Sequence, residues 1–370
     1  MKKFFIALLT LALVAGNVFA EFSVGAWGRA TFVPFRTGID GNDDSKNGSS
    51  AATEVGWGNV PNFAVQFSLS GEKIGFISNF DFAVPGRDGN LYTWWKPSDI
   101  FKLDIGWVRW DVLRGISVLE SFQNGKYTGT AGIHEDFIFH RFATADWWST
   151  NPGAILEITP IPNLYIGAAI NTGPYGTSFD DNLSDVYKNS QYAAGYNIDG
   201  IGLIRVGYFG INSQGIGNQL IQGAFKVTAI EGLTIDVGVG YGLEDNRDNL
   251  NNLTVGLAAA FKTDLFGING AVGAYLGGDG DAGGQYPKIE LALNPYVSLA
   301  FATIGLGADF GLELGKDDSS HIGFDLYIQK GFGGGQIKAG VTAAIQPGSP
   351  DPAKQNVVIA IPIELTYSVW

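Results

Sequence analysis

The chain has 370 residues, a formal charge of −13 at pH 7 and no cysteine. The acidic balance excludes a nucleic-acid partner, whose phosphates demand a basic face. The lack of cysteine excludes a disulfide-held scaffold, so an exported fold of this size must be held otherwise, for example by closed strand pairing.

The chain opens with an export signal. Lys2 and Lys3 precede the apolar run Phe4 to Ala15, which is too short to span a bilayer as a helix. Val18-Phe19-Ala20 reads as a small-residue cleavage site, so residues 1–20 are a signal peptide removed after Ala20. Beyond it no apolar run is long enough for a transmembrane helix. Barrel strands need only about 9–11 residues and remain open to the chain.

From residue 21 onward apolar and polar residues alternate, the period of a strand with two unlike faces. Strands are expected over 22–34, 62–70, 73–84, 90–96, 101–110, 153–159, 164–171, 190–198 and 201–210. They continue over 219–229, 232–243, 252–262, 265–276, 287–301, 303–314, 321–330, 336–346 and 355–369. That is eighteen, with sixteen as the alternative count. Short turns such as Asp199-Gly200 and Glu231-Gly232 alternate with longer polar loops at 35–61, 85–89, 111–152, 172–189, 211–218, 244–251, 277–286, 315–320 and 347–354. Outer-membrane barrels have this asymmetry, with short periplasmic turns and long external loops. The expected fold is an all-β, transmembrane, antiparallel up-and-down barrel occupying residues 21–370 as one domain. No fixed short repeat suggests a β-helix, and no blade motif suggests a propeller.

The two strand faces differ in chemistry. Leu233, Ile235, Val237, Val239, Tyr241 and Leu243 make one apolar row, and Ile304, Leu306, Ala308, Phe310, Leu312 and Leu314 another. A Lys or Arg at mid-bilayer on such a row costs about 2–4 kcal/mol. The charges fall on the other phase, as that cost requires. Arg29, Lys73, Lys102, Arg205, Lys226, Lys262, Lys288 and Lys338 oppose Asp104, Glu157, Asp236, Glu290, Asp309, Glu313, Asp325 and Glu364. A dry interior could not hold so many charges, since each unpaired one costs several kcal/mol. These residues are the expected pore lining of a water-filled channel, and a charge-paired, plugged interior is the alternative. The abundant glycine, 53 residues, also sits largely on this phase and leaves room inside.

Finer expectations follow. Lys73, Lys102, Lys226, Lys262 and Lys338 adjoin short turns and should make the periplasmic end positive, opposite acidic external loops. Trp94, Trp95, Trp107 and Trp110 are candidates for the aromatic girdles at the membrane interfaces. The long connection 111–152 mixes seven aromatic residues with His134, Glu135, Asp136, His140 and Arg141. That apolar load suggests a segment folded into the barrel as a constriction, or lying across its mouth or in a subunit interface.

Nothing supports catalysis, a cofactor or a bound metal. His134 and His140 lack zinc-helix spacing, and no nucleophile elbow or phosphate-binding loop occurs. Asp40-x-Asn42-x-Asp44 starts like a calcium loop, but Ser45 replaces its glycine and Ala51 its bidentate glutamate.

The block Tyr92-Thr93-Trp94-Trp95-Lys96-Pro97, then Phe101-Lys102-Leu103-Asp104-Ile105-Gly106 and Asp111-Val112-Leu113-Arg114-Gly115, resembles spirochaete-type outer-membrane barrel proteins. The resemblance covers about 25 residues well and implies a porin-like role without catalytic residues. The C-terminus is similar to the assembly signal of such barrels, ending in Trp370. Its apolar positions Ile361, Ile363, Leu365, Tyr367 and Val369 run one residue out of phase with that aromatic.

The expected function is passive diffusion of small hydrophilic solutes across a bacterial outer membrane. The alternatives are a closed-lumen adhesin or structural barrel, and a substrate-specific transporter. The expected partners are outer-membrane lipid, the solutes and the barrel assembly machinery, with a homo-oligomer as a further option.

Overall fold

The computed structural model describes residues 21–39, 47–55, 63–81, 91–109, 150–171, 186, 190–209, 220–242, 253–276, 287–314, 320–345 and 357–369. The leader, the 111–149 portion of the long connection, the calcium-like segment from Asp40 to Asp44 and Trp370 lie outside these residues.

Among the described residues there are nineteen strand segments in one sheet, every pairing antiparallel. They are β1 (Glu21–Ile39), β2 (Gly48–Val55), β3 (Phe63–Ser70), β4 (Ile74–Asp81), β5 (Leu91–Ser98), β6 (Phe101–Arg109) and β7 (Thr150–Ile158). Next come β8 (Leu164–Asn171), β9 (Gln191–Ile198), β10 (Gly202–Phe209), β11 (Leu220–Ile230), β12 (Leu233–Gly242) and β13 (Leu253–Lys262). The last are β14 (Phe266–Leu276), β15 (Lys288–Ser298), β16 (Thr303–Glu313), β17 (His321–Phe332), β18 (Gly335–Ile345) and β19 (Val357–Val369). From β3 to β19 each strand pairs with the next. The pairing of β1 with β19, from Ala26↔Val369 to Ile39↔Val357, closes the wall. Closure leaves no strand edge to aggregate.

Two segments share one place in the wall. β3 pairs with β1 over Glu21–Gly28, and β2 pairs with it over Ala30–Gly38. The nineteen segments therefore fill eighteen positions. The sequence reading assigned 48–55 to the 35–61 loop. Gly48-Ser49-Ser50-Ala51-Ala52-Thr53 has no apolar face to betray a strand, and its partner supplies the order. β1 likewise runs past the expected residue 34, through a register shift between Phe32 and Phe35. Such a shift bends the strand and exchanges its faces.

The connections alternate as expected. Every short turn lies at the end of the wall that holds Glu21 and Val369. Gly232 at φ 74° and Gly334 at φ 76° supply left-handed corners that a β-carbon would disfavour. Neighbouring turns are tied together. The Asn163 amide donates to the Asp199 carboxylate at 2.8 Å, and the Thr159 hydroxyl to the Asp99 carbonyl at 2.8 Å.

The apolar phase faces outward. Val237, Val239, Leu306, Phe324, Leu326, Ile328, Ile361, Ile363 and Leu365 are all exposed, Leu326 at 56%. Their neighbours on the opposite phase are buried, Asp325 at 2%. A water-soluble monomer rarely exposes more than roughly a few hundred Å² of contiguous apolar surface. Here it encircles the molecule.

Candidate functional site: the inner wall

Because the wall is closed, the phase opposite the apolar belt faces its interior. Three groups of polar side chains stand there, the first two near the short-turn end and the third reaching from it past mid-wall.

The first spans β6 to β8. Lys102 begins β6 beside Asp104, and Glu157 faces Lys102 from β7. The Lys102 ammonium lies 2.9 Å from the Asp104 carboxylate and 3.4 Å from that of Glu157. The Tyr165 hydroxyl of β8 donates to Glu157 at 3.2 Å. One cation thus serves two carboxylates, and the tyrosine takes up one of the remaining acceptor positions.

The second spans β10 to β12. Arg205 and Asp236 form a buried ion pair that passes over β11. Ala224 faces Arg205 on β11, and Gly238 faces Ala224 on β12. These small residues leave the path clear. Lys226 faces Asp236 in register, so this carboxylate has two cations as neighbours.

The third occupies β15 to β19. Lys338 faces Gln329 on one side and Glu364 on the other. Its ammonium lies 4.2 Å from the centre of the Tyr327 ring, within cation–π range. The Tyr327 hydroxyl donates to Asn294 at 3.1 Å. Asp309 faces Gly323, and Asp325 faces Gly307. Glycine opposite a charge gives it room, and Arg205 has the same arrangement with Gly195.

The remaining candidates are placed less fully. Arg29, Lys288, Glu290 and Glu313 are located by strand register alone, with Lys288 opposite Glu313. Lys73 lies in the turn before β4 and is exposed, and Lys262 is exposed at the end of β13. His134, Glu135, Asp136, His140 and Arg141 lie outside the described residues.

Two expectations need correction. The five lysines do gather at the short-turn end, but Asp104, Glu157, Asp236 and Glu364 stand at the same level, so that end is not a positive ring. The tryptophans divide between faces. Trp95 points outward, 48% exposed, with Phe101 edge-on at 5.7 Å, whereas Trp94 shares the inward phase with Asp104. The outward aromatic pairs are instead Phe22–Phe67, Phe261–Phe266 and Trp95–Phe101 near the short turns, and Tyr192–Tyr208 toward the loops.

The sequence reading missed Arg36 because the strand was ended at residue 34. It pairs with Ala360 beyond the β1 register shift. It also passed over neutral inward residues, among them Thr31, Gln222, Asn294, Tyr327 and Thr342, by counting charges alone. The strand phase marks all of them except Arg36. Among the described residues no group of three or more His, Asp or Glu side chains could hold a metal ion.

The fold is similar to that of several solved structures. The outer membrane protein OpdK of Pseudomonas aeruginosa superposes with a TM-score of 0.55 at 9% identity, over 95% of this chain and 99% of that one. OpdL of the same organism gives 0.54 at 11% identity, over 95% and 98%. OccAB4 of Acinetobacter baumannii gives 0.52 at 8%, over 94% and 98%. No family model matches the chain, and no curated protein matches it significantly. At these identities the likeness is one of fold. The chain shares with them the fold of a closed antiparallel β-barrel.

Proposed function

We propose that the chain forms a water-filled channel in a bacterial outer membrane for passive diffusion of small hydrophilic solutes. One observation carries this reading: an outward face of exposed apolar side chains encloses an inward face bearing charges of both signs, amides and hydroxyls. Such polar chemistry suits the wall of a channel and not an apolar core, with Arg205, Asp236 and Asp325 packed into that wall at 1–2% exposure. In this reading the pore is lined by Arg29, Arg36, Lys102, Asp104, Glu157, Arg205, Lys226, Asp236, Lys288, Glu290, Asp309, Glu313, Asp325, Lys338 and Glu364. Lys73 and Lys262 stand at its periplasmic rim.

The rest of the reading is of a piece. A leader is cleaved after Ala20, the assembly machinery inserts residues 21–370 as one domain, and lipid surrounds the belt. Self-association of the barrels and a spirochaete-type lineage belong to the same proposal, the latter on the block from Tyr92 to Gly115. The paired networks around Lys102 and Arg205 favour one second reading, a substrate-specific channel. One of the similar structures is OpdK with vanillate.

Planar-bilayer recording tests both. Large ohmic steps are expected from the refolded protein, with block by a single solute if the channel is specific. A barrel that inserts, yet passes no current, overturns the reading in favour of a closed adhesin or structural barrel.

A further inference from the structure

Three large aromatic side chains on the inward phase lie flat upon glycines. Trp94 of β5 covers Gly75 of β4, Tyr296 of β15 covers Gly267 of β14, and Tyr327 of β17 covers Gly305 of β16. In each case the aromatic residue and the glycine are direct register partners. Each glycine also lies within a few residues of a short turn. A β-carbon built on any of the three would fall within the ring lying over it.

These glycines are not there for backbone freedom. None is among the residues with positive φ, unlike Gly232 and Gly334 in the turns. Ordinary extended backbone accepts any residue, so what glycine contributes at these places is empty space. Two of the pairs join into a continuous row. Gly267, Tyr296, Gly305, Tyr327 and Gly340 follow one another in register across β14 to β18. Tyr327 is held down by its hydrogen bond to Asn294, two strands away, and by the Lys338 ammonium over its ring.

We propose that Gly75, Gly267 and Gly305 are seats that hold Trp94, Tyr296 and Tyr327 against the wall, and so set the open width of the lumen near its periplasmic end. This inference rests on the channel reading. An aromatic ring pressed to the backbone takes little of the cross-section. The same ring turned away from its seat projects into the lumen. Filling a seat therefore narrows the passage without adding any large group to it. A purely structural role, the shielding of glycine backbone by an aromatic neighbour, would affect folding and leave the aperture alone.

Single-channel conductance separates the two roles, with the folded state checked by heat-dependent mobility on a denaturing gel. Gly305→Ala and Gly267→Ala are expected to fold and to lower the unitary conductance beyond the wild-type spread. Adding Tyr327→Ala to Gly305→Ala is expected to restore it. Trp94→Ala alone should leave conductance within that spread, because the ring already lies out of the lumen. A folded Gly305→Ala barrel with wild-type conductance overturns the proposal. So does a marked rise with Trp94→Ala alone, an arm that decides even if the glycine variants do not fold. A wild-type barrel that inserts and stays silent overturns the channel reading, and this inference falls with it.

Discussion

At the scale of single residues, the inner wall pairs charge with space. Arg205 reaches Asp236 because residues 224 and 238 are alanine and glycine. Both charged side chains are almost fully buried, at 1% and 3% exposure. Removing one member of a buried pair costs at most about 3–5 kcal/mol, less here because Lys226 still faces Asp236, whereas apolar replacement of both is often close to neutral. Arg205→Leu should therefore lower the denaturant midpoint of the refolded barrel, and Arg205→Leu with Asp236→Leu should recover most of the loss. Equal losses in the single and double variants would show that the pair does not act as a unit. The sequence located each of these side chains by phase. It could not show which met which, because Arg205 and Asp236 are separated by an intervening strand and their meeting depends on register. Trp94 shows the limit more sharply. Its neighbour Trp95 has the same composition cue and the opposite direction, and only strand pairing decides between them.

At the scale of elements, alternation made most strands legible. Apolar residues recur every second position wherever a strand presents its outer face, and glycine, proline and acidic residues punctuate the turns. β2 was not legible, because its order comes from pairing with β1 and not from an apolar face of its own. The rows of outward residues should behave as lipid contacts. Leu326→Arg, in the middle of β17, is expected to cost about 2–4 kcal/mol of folding stability in a bilayer. The inward Thr342→Arg removes no lipid contact and should cost less. Folding titrations in vesicles measure both, and equal costs would contradict the assignment of faces. Pro295 marks a smaller irregularity. Leu293 pairs with Ala308 and Tyr296 with Gly305, while the two residues between them have no described partner on β16. Proline lacks the N–H that a ladder needs, and the gap sits where that would place it.

At the scale of the whole molecule, charge should govern which ions pass. Among the described inward side chains, Arg36, Lys102, Arg205, Lys226 and Lys338 stand against Asp104, Glu157, Asp236, Asp309, Asp325 and Glu364. The chain as a whole carries −13, much of it in the long loops. A field of that sign draws cations to the mouth. The reversal potential in a potassium chloride gradient should therefore show a preference for cations that weakens as salt rises and screens the charges. A preference for anions would contradict it. The closing seam between β1 and β19 bears on time as well as on shape. Ala26 pairs with Val369, nearly the full length of the chain away. The other seams join strands far closer in sequence, most of them neighbours that can form as hairpins, within microseconds in small peptides. The last seam waits for the whole polypeptide and bears the largest loop-closure entropy. Until it forms, the wall is an open sheet with two bare edges and an uncovered apolar face. The interval before closure is thus the most aggregation-exposed stage in the life of the chain, and its length is set by how late β19 reaches β1.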